Sequence, residues 1–260
     1  MKSDPMQQTP STLAVKVQAT SQVHLTHRVD PDRIRGMFSR VAGRYDLANS
    51  ILSLGIHHLW RKKLVRLSEV RPGQKILDCA SGTGDLAIEF KRKTGPTGEV
   101  LGTDFCSDML KTAPEKAKRL GLDVKFEQAD VTQLQYGDKT FDVSSISFGI
   151  RNVSDPRQGI LEMARVTVPG GLVMVLEFGQ VRGSFLAPFY RIYSERILPL
   201  VGGWVTGQRE AYSYLQKSSA QFPCGEDFLK LMESTGQFTK TECFPLSGGI
   251  AYIYKGRVLS

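Results

Sequence analysis

Three aspartates and a glycine-rich turn are the residues here whose types and spacing can do chemistry. Ile76-Leu77-Asp78-Cys79-Ala80-Ser81-Gly82-Thr83-Gly84-Asp85 reads as a short apolar strand starting at Lys75, an acid, a tight turn and the first residue of a helix. Glycine in such a turn lets a ligand approach bare backbone without meeting a Cβ. Asp104 follows the apolar run Val100-Leu101-Gly102, about twenty residues past the turn, the offset at which a βαβ nucleotide site holds a ribose hydroxyl. Asp130 closes a third strand pattern. The predicted ligand therefore carries a nucleoside.

Gly82-Thr83-Gly84-Asp85-Leu86-Ala87 also fits the dinucleotide fingerprint GxGxxA, so a nicotinamide-dependent oxidoreductase is a rival reading. Asp78 before the turn and Asp85 at the helix start weigh against it. A pyrophosphate gains from a helix N-terminus free of acids, whereas a cationic ligand tolerates both. S-adenosylmethionine, with a sulfonium, an amino group, a carboxylate and an adenosine, fits the set. Asp78 with Ser81, Gly82, Thr83 and Gly84 can hold its methionine end. Asp104 can take the ribose hydroxyls, and Asp130 with Val131 can lie along the adenine edge. Asp85 and Asp108 are expected to be cap or turn residues.

The elements that must position these groups alternate. Strands are predicted over Lys75–Cys79, Glu99–Thr103, Val124–Gln128, Phe141–Ile146 and Leu172–Glu177. Helices are predicted over Asp85–Lys93, Asp108–Leu120 and Arg157–Thr167, the last stopped by Pro169-Gly170-Gly171. Such alternation implies a mostly parallel sheet covered on both faces. Before it, Pro31–Arg40 (with Asp30 as N-cap), Arg44–Ser53 and Ile56–Val70 read as helices. After it, helices are predicted at Phe185–Leu200, Glu210–Ala220 and Gly225–Ser234, and a terminal strand pair at Phe238–Pro245 and Ile250–Lys255.

The chain has 260 residues, 41% of them hydrophobic, enough for a core and against global disorder. No apolar run reaches the length of a membrane span. The four cysteines, Cys79, Cys106, Cys224 and Cys243, show neither CxxC nor CxH spacing, which predicts a reducing cytoplasm and no metal. A net charge of +8 fits plain solubility or attraction to an anionic surface. Residues 1–29 read as a mobile tail, with no apolar stretch of the kind a secretory signal needs.

Three longer segments are specific. Tyr45-Asp46-Leu47-Ala48-Asn49-Ser50-Ile51-Leu52-Ser53-Leu54-Gly55-Ile56-His57-His58-Leu59-Trp60 resembles the YDxMNxxLSxxxHxxW signature of the ubiquinone/menaquinone biosynthesis C-methyltransferase family. Ser147-Phe148-Gly149-Ile150-Arg151-Asn152-Val153 resembles its SFGxRNV segment. Arg165 to Glu177 is similar to its RVLKPGGxxxxLE motif. The resemblance spans about residues 30–258. Departures are Ala48 for methionine, Thr167-Val168 for leucine-lysine, Gly179 for serine, and Tyr254 for histidine; the last is expected to bear on pocket detail.

The resemblance implies the class I S-adenosylmethionine-dependent methyltransferase fold, Rossmann-like and α/β. Its mostly parallel seven-stranded sheet would carry helices on both faces and an N-terminal helical cap over 30–70. The cofactor-binding core would be 75–177 and the substrate part 180–258. The implied reaction is C-methylation of a polyprenylated quinol, demethylmenaquinol or the benzoquinol precursor of ubiquinol. Implied donor contacts are Thr83, Asp104, Asp130, Val131 and Ser147.

A quinol ring carbon becomes nucleophilic when a neighbouring hydroxyl ionises. Arg151, just past the fourth strand, is the first candidate to favour that ionisation, because a guanidinium stabilises a phenolate. Tyr45 and Asp46 could complete the site from the N-terminal helices. His57 could accept a proton, and Asn152 could position the ring. Phe185–Leu200 with Arg182, Arg191 and Arg196 is expected to wall an isoprenoid tail or to meet lipid peripherally at the cytoplasmic membrane; a core helix with homodimer contacts is the alternative. A methyltransferase for a sterol or phospholipid amine is a second reading, and binding of nucleic acid is not expected.

Overall fold

The computed structural model describes residues 30–44, 50, 53, 55–180 and 209–260. A seven-stranded sheet has the order β3-β2-β1-β4-β5-β7-β6. Its strands are β1 (Lys75–Cys79), β2 (Glu99–Asp104), β3 (Lys125–Gln128), β4 (Phe141–Ser147), β5 (Thr167–Phe178), β6 (Phe238–Leu246) and β7 (Ala251–Val258). The first five run parallel, and β7 is antiparallel to both β5 and β6. The order reverses between β1 and β4. In open α/β sheets ligands bind at that reversal, beyond the strands' C-terminal ends.

The helices are α1 (Pro31–Val41), α2 (Ile56–Leu67), α3 (Asp85–Thr94), α4 (Ser107–Leu110), α5 (Ala113–Arg119), α6 (Pro156–Val166), α7 (Arg209–Gln221) and α8 (Glu226–Glu233). Asp30 caps α1, accepting from the N–H groups of Asp32 and Arg33, with Pro31 in the first turn. Two buried clusters cover the sheet. One joins Leu77, Ile146 and Val175 to α6 and α8 through Ile160, Met163 and Phe228. The other joins Ile76, Met174 and Ile253 to α2 and α3 through Leu64 and Phe90. Leu77 and Ile76 are neighbours in β1 and point to opposite faces, so both faces are apolar, as a doubly covered sheet requires.

Two expected elements differ. The helix expected over Asp108–Leu120 is two pieces, α4 and α5, with Pro114 in the first turn of α5. Proline has no N–H for a continuing helix and its ring crowds the preceding turn. Pro169-Gly170-Gly171 stops α6, but these residues lie inside β5. The register jumps there from Phe141 opposite Thr167 to Val143 opposite Leu172, so the segment bulges out of the ladder. Gly170 has φ +75°, and a Cβ on Gly171 would stand 2.6 Å from the Asp142 carbonyl oxygen. Residues 45–49 and 181–208, which include Tyr45, Asp46 and the expected helix Phe185–Leu200, lie outside the described residues. Among the described residues no helix is long and apolar enough to cross a membrane.

Candidate active site

A cleft opens at the sheet reversal, enclosing about 1050 Å³ of space that is partly continuous with solvent. Asp78, Ser81, Gly82, Thr83, Asp104, Asp130, Val131, Ser147 and Asn152 all line it. The fold thus gathers residues from the ends of β1, β2, β3 and β4. Gly84 lies one step away as the left-handed residue opening α3, with φ +83°.

The turn after β1 is packed from below. A Cβ on Gly84 would come within 2.8 Å of the Phe126 ring, and one on Gly102 within 2.6 Å of that ring and 2.8 Å of Ser81 Oγ. One on Gly149 would lie 2.4 Å from Ala80 Cβ. These glycines let the Phe126 ring, Ser81 and Ala80 pack against bare backbone beneath the cleft. Ala80 and Phe148 have φ +48° and +57°, a left-handed conformation that non-glycine residues adopt at a cost of order 1–3 kcal/mol and that clusters at binding sites.

Asp78 is buried and accepts hydroxyl hydrogen bonds from Ser81 and Ser145, each at 2.8 Å. Burial pushes its carboxyl up to about 7, against the pull of those two hydroxyls and of Arg61. Asp104 spans the turn. One oxygen accepts from Gly82 N at 2.9 Å and the other from Cys106 N at 2.8 Å. Burial raises it to about 6, opposed by those N–H groups. Asp130 folds back on its own loop, Oδ1 accepting from the N–H and hydroxyl of Thr132. Ser147 Oγ is buried without a hydrogen-bond partner among the described residues.

These observations fit S-adenosylmethionine. Each Asp104 oxygen has one backbone donor and lone-pair capacity left for a ribose hydroxyl. A buried carboxyl near neutrality gains from a cationic ligand, which returns it to the charged form. Ser147 Oγ, an orphan in the cleft wall, has acceptor and donor capacity for a polar ligand group.

Asp85 belongs elsewhere. It pairs with Arg61, which also lines the cleft, at 2.8 Å and with Lys116. Burial raises its carboxyl, but the two cations outweigh that and hold it below its usual range. His57 is buried and bonds Ser53 Oγ through Nδ1 at 2.5 Å. It meets His58 and Asp85 within 4.8 Å. With Arg61 and Lys116 already on that carboxylate, the cluster is a poor host for a cation.

Arg151, the sequence candidate for favouring quinol ionisation, sits behind the cleft wall. It is buried, and among the described residues its side chain does not line the cleft. Its Nη1 donates to Glu177 Oε1 at 2.8 Å and to the Phe148 carbonyl at 2.6 Å, while Nε is buried without a partner among the described residues. Glu177 also accepts from Arg151 N and Phe178 N. The guanidinium lies 5.4 Å from the Phe178 ring centre. The reason is local: Arg151 sits in a 3-10 turn, Ile150–Asn152, beside the C-terminal end of β5, where the buried carboxylate of Glu177 takes the place of water as its partner. Tyr254, expected to affect pocket detail, is buried against Phe228 with its hydroxyl accepting from Gly225 N at 2.7 Å, and it is not among the cleft-lining residues.

Three contributions escaped the sequence reading. Ser145, second partner of Asp78, lies opposite it in the β1–β4 register, so aligning the two strands would have found it. A helical cap was expected over 30–70, but not the side chains by which α1 lines the cleft, Pro31, Ile34, Arg35 and Phe38, with Arg35 4.2 Å over the Phe105 ring. Glu177 stood in a recognised motif, but no sequence signal showed that it pairs with Arg151.

The sequence profile of the ubiE/COQ5 methyltransferase family matches residues 26–257. The chain belongs to this family. A ubiquinone/menaquinone biosynthesis C-methyltransferase UbiE of Bdellovibrio bacteriovorus is 64% identical over 232 residues, 89% of this chain and 98% of that protein. The protein of the same name from Psychromonas ingrahamii is 40% identical, covering 86% and 90%. Among solved structures, a SAM-dependent methyltransferase from Aquifex aeolicus superposes with a TM-score of 0.57 at 15% identity, over 89% of this chain and all of that one. The CurJ carbon methyltransferase gives 0.61 at 14% identity, over 89% of this chain and 62% of that one. At such identities the likeness concerns the fold, and the fold is that of class I methyltransferases.

Proposed function

We propose that this ubiE/COQ5-family methyltransferase methylates a ring carbon of a polyprenylated quinol in quinone biosynthesis, with S-adenosylmethionine as donor. Demethylmenaquinol is the principal substrate and the ubiquinol precursor a second one. The supporting observation is the end-to-end relation to the Bdellovibrio protein of that name, together with an acid-lined cleft suited to a nucleoside cation. One catalytic domain would run from residue 30 to 258, with 30–70 as its cap.

In this reading Asp104 holds the ribose, Asp130 and Val131 border the adenine, and Asp78 with Ser81, Gly82, Thr83 and Gly84 seats the methionine end. Ser147 supplies a further polar contact. Bound S-adenosylmethionine supplies the electrophilic methyl group. The protein's own work is alignment and desolvation. Attack of a phenolate carbon on a sulfonium destroys charge, so a dry cleft favours it. Asn152 faces the ring, and Arg151, paired with Glu177 at 2.8 Å behind the wall, acts by holding the turn that carries Asn152. Tyr45 and Asp46 complete the acceptor side. His57 serves α2 rather than the ring: it bonds Ser53 Oγ through Nδ1 and is not among the cleft-lining residues.

The acceptor's isoprenoid tail implies work at a lipid surface. On α2 Ile56 and Leu59 are exposed beside Lys62 and Arg66, a pairing suited to anionic lipid; self-association as a homodimer is a further proposal for the apolar surface. Labelled methyl transfer to chemically reduced demethylmenaquinol and to the benzoquinol analogue, side by side, tests the reaction. Transfer to neither would overturn it. Arg151→Ala should keep donor binding, which also reports folding, and lower turnover about 10²-fold. Turnover within a few-fold of wild type removes Arg151 from the mechanism.

A further inference from the structure

Two hydrogen-bond systems meet behind the acceptor side of the cleft. One is the buried Glu177–Arg151 pair. The other ties α7 to the Ile150–Asn152 turn, with the Tyr214 hydroxyl donating to Asn152 Oδ1 at 3.1 Å. Asn152 lines the cleft and Tyr214 does not. A carboxamide has one oxygen and one NH2, and its terminal torsion is soft, so an unrestrained asparagine can present either end. With the oxygen engaged by Tyr214, the NH2 is the end left for the cleft.

Tyr214 is suited to hold that orientation. Burial raises its phenol above the usual tyrosine range, reinforced by Glu177 and opposed by the charges of Arg151 and of Arg33 in α1 and by a hydrogen bond with Ser218. It therefore keeps its proton, and stays a donor, at neutral pH. Helix α7 packs on both α1 and the Ile150–Asn152 turn, which fixes the phenol in place. With its oxygen turned to Tyr214, Asn152 presents its NH2 to the cleft, and a donor there stabilises a ring oxygen that is losing its proton.

We propose that Tyr214 is a positioning residue for methyl transfer, its hydroxyl turning the Asn152 amide so that NH2 faces the quinol hydroxyl that must ionise. This rests on the quinol reading above. The test is kcat and KM for reduced demethylmenaquinol across about pH 6 to pH 9, in wild type, Tyr214→Phe, Asn152→Ala and the double variant.

Tyr214→Phe should lower kcat about tenfold at neutral pH and leave donor KM unchanged. It should also move the rising limb of the pH profile up by about one unit, because the bound phenol ionises less readily. In the Asn152→Ala background it should cost nothing further. Asn152→Asp, which keeps the acceptor for Tyr214 but loses the NH2, should be as slow as Asn152→Ala. The proposal is overturned if Tyr214→Phe stays within twofold of wild type, slows turnover equally at every pH, or adds to Asn152→Ala. An inactive wild type would sink the quinol reading itself, and this inference with it; an active wild type beside a silent Tyr214→Phe sinks only the role of Tyr214.

Discussion

Glu177→Gln is the sharpest test of how the acceptor side is held together. Glu177 and Arg151 leave only 1% and 4% of their surfaces exposed. The carboxylate accepts from Arg151 Nη1 at 2.8 Å, Phe178 N at 2.8 Å and Arg151 N at 3.3 Å. The amide keeps the shape but removes the charge and turns one acceptor into a donor, so a guanidinium stays buried without its counter-charge. Breaking such a pair costs about 3–5 kcal/mol. In a chain this size that lowers Tm by about 6–20 °C. Urea denaturation of the purified protein measures it directly. Pairing the change with Arg151→Met should recover most of the loss, because the stranded charge is gone. A cost under about 1 kcal/mol, or a double variant as unstable as the single one, would refute the argument that Arg151 is a buried charge depending on Glu177.

Asp104→Ala should weaken S-adenosylmethionine binding and leave the fold intact; unchanged affinity by calorimetry would reject its ribose role. Asp78 and Asp104 are raised to about 7 and about 6, so without ligand their contribution to stability is fully present below their unfolded values and is lost as pH rises through the folded ones. Stability of the free protein should therefore fall between about pH 4 and pH 7, while affinity for the cationic donor rises over the upper part of that window. Asp78→Asn should flatten both slopes, as melts and calorimetry at several pH values would show. Gly102→Ala should cost about 1–3 kcal/mol through its clash with Phe126 and Ser81, seen as a lower urea midpoint with weaker donor binding.

Much of the cofactor half was legible because it is local. The β1 strand, the glycine turn and α3 follow one another in about twenty residues, and the acids after β2 and β3 fall where parallel strands end. The proline in α5 was visible too, yet the helical periodicity around it hid the break. The acceptor half depends on partners far apart in sequence. Glu177 and Arg151 are 26 residues apart, and Tyr214 and Asn152 are 62 apart. No periodicity announces such pairs. A recognised motif placed Arg151 near the right sheet edge, but a motif does not say which way a long side chain turns. That was settled by the carboxylate at the end of the neighbouring strand.

The strand order has a consequence for biosynthesis. β6 touches the sheet only through β7, which comes later in the chain. Until β7 is in place, β6 has no strand to pair with. A folding intermediate without β7 therefore leaves β6 with open hydrogen-bonding edges beside an unfinished scaffold. Its exposed Lys240 and Pro245 are the residue types that discourage adhesion to another nascent chain.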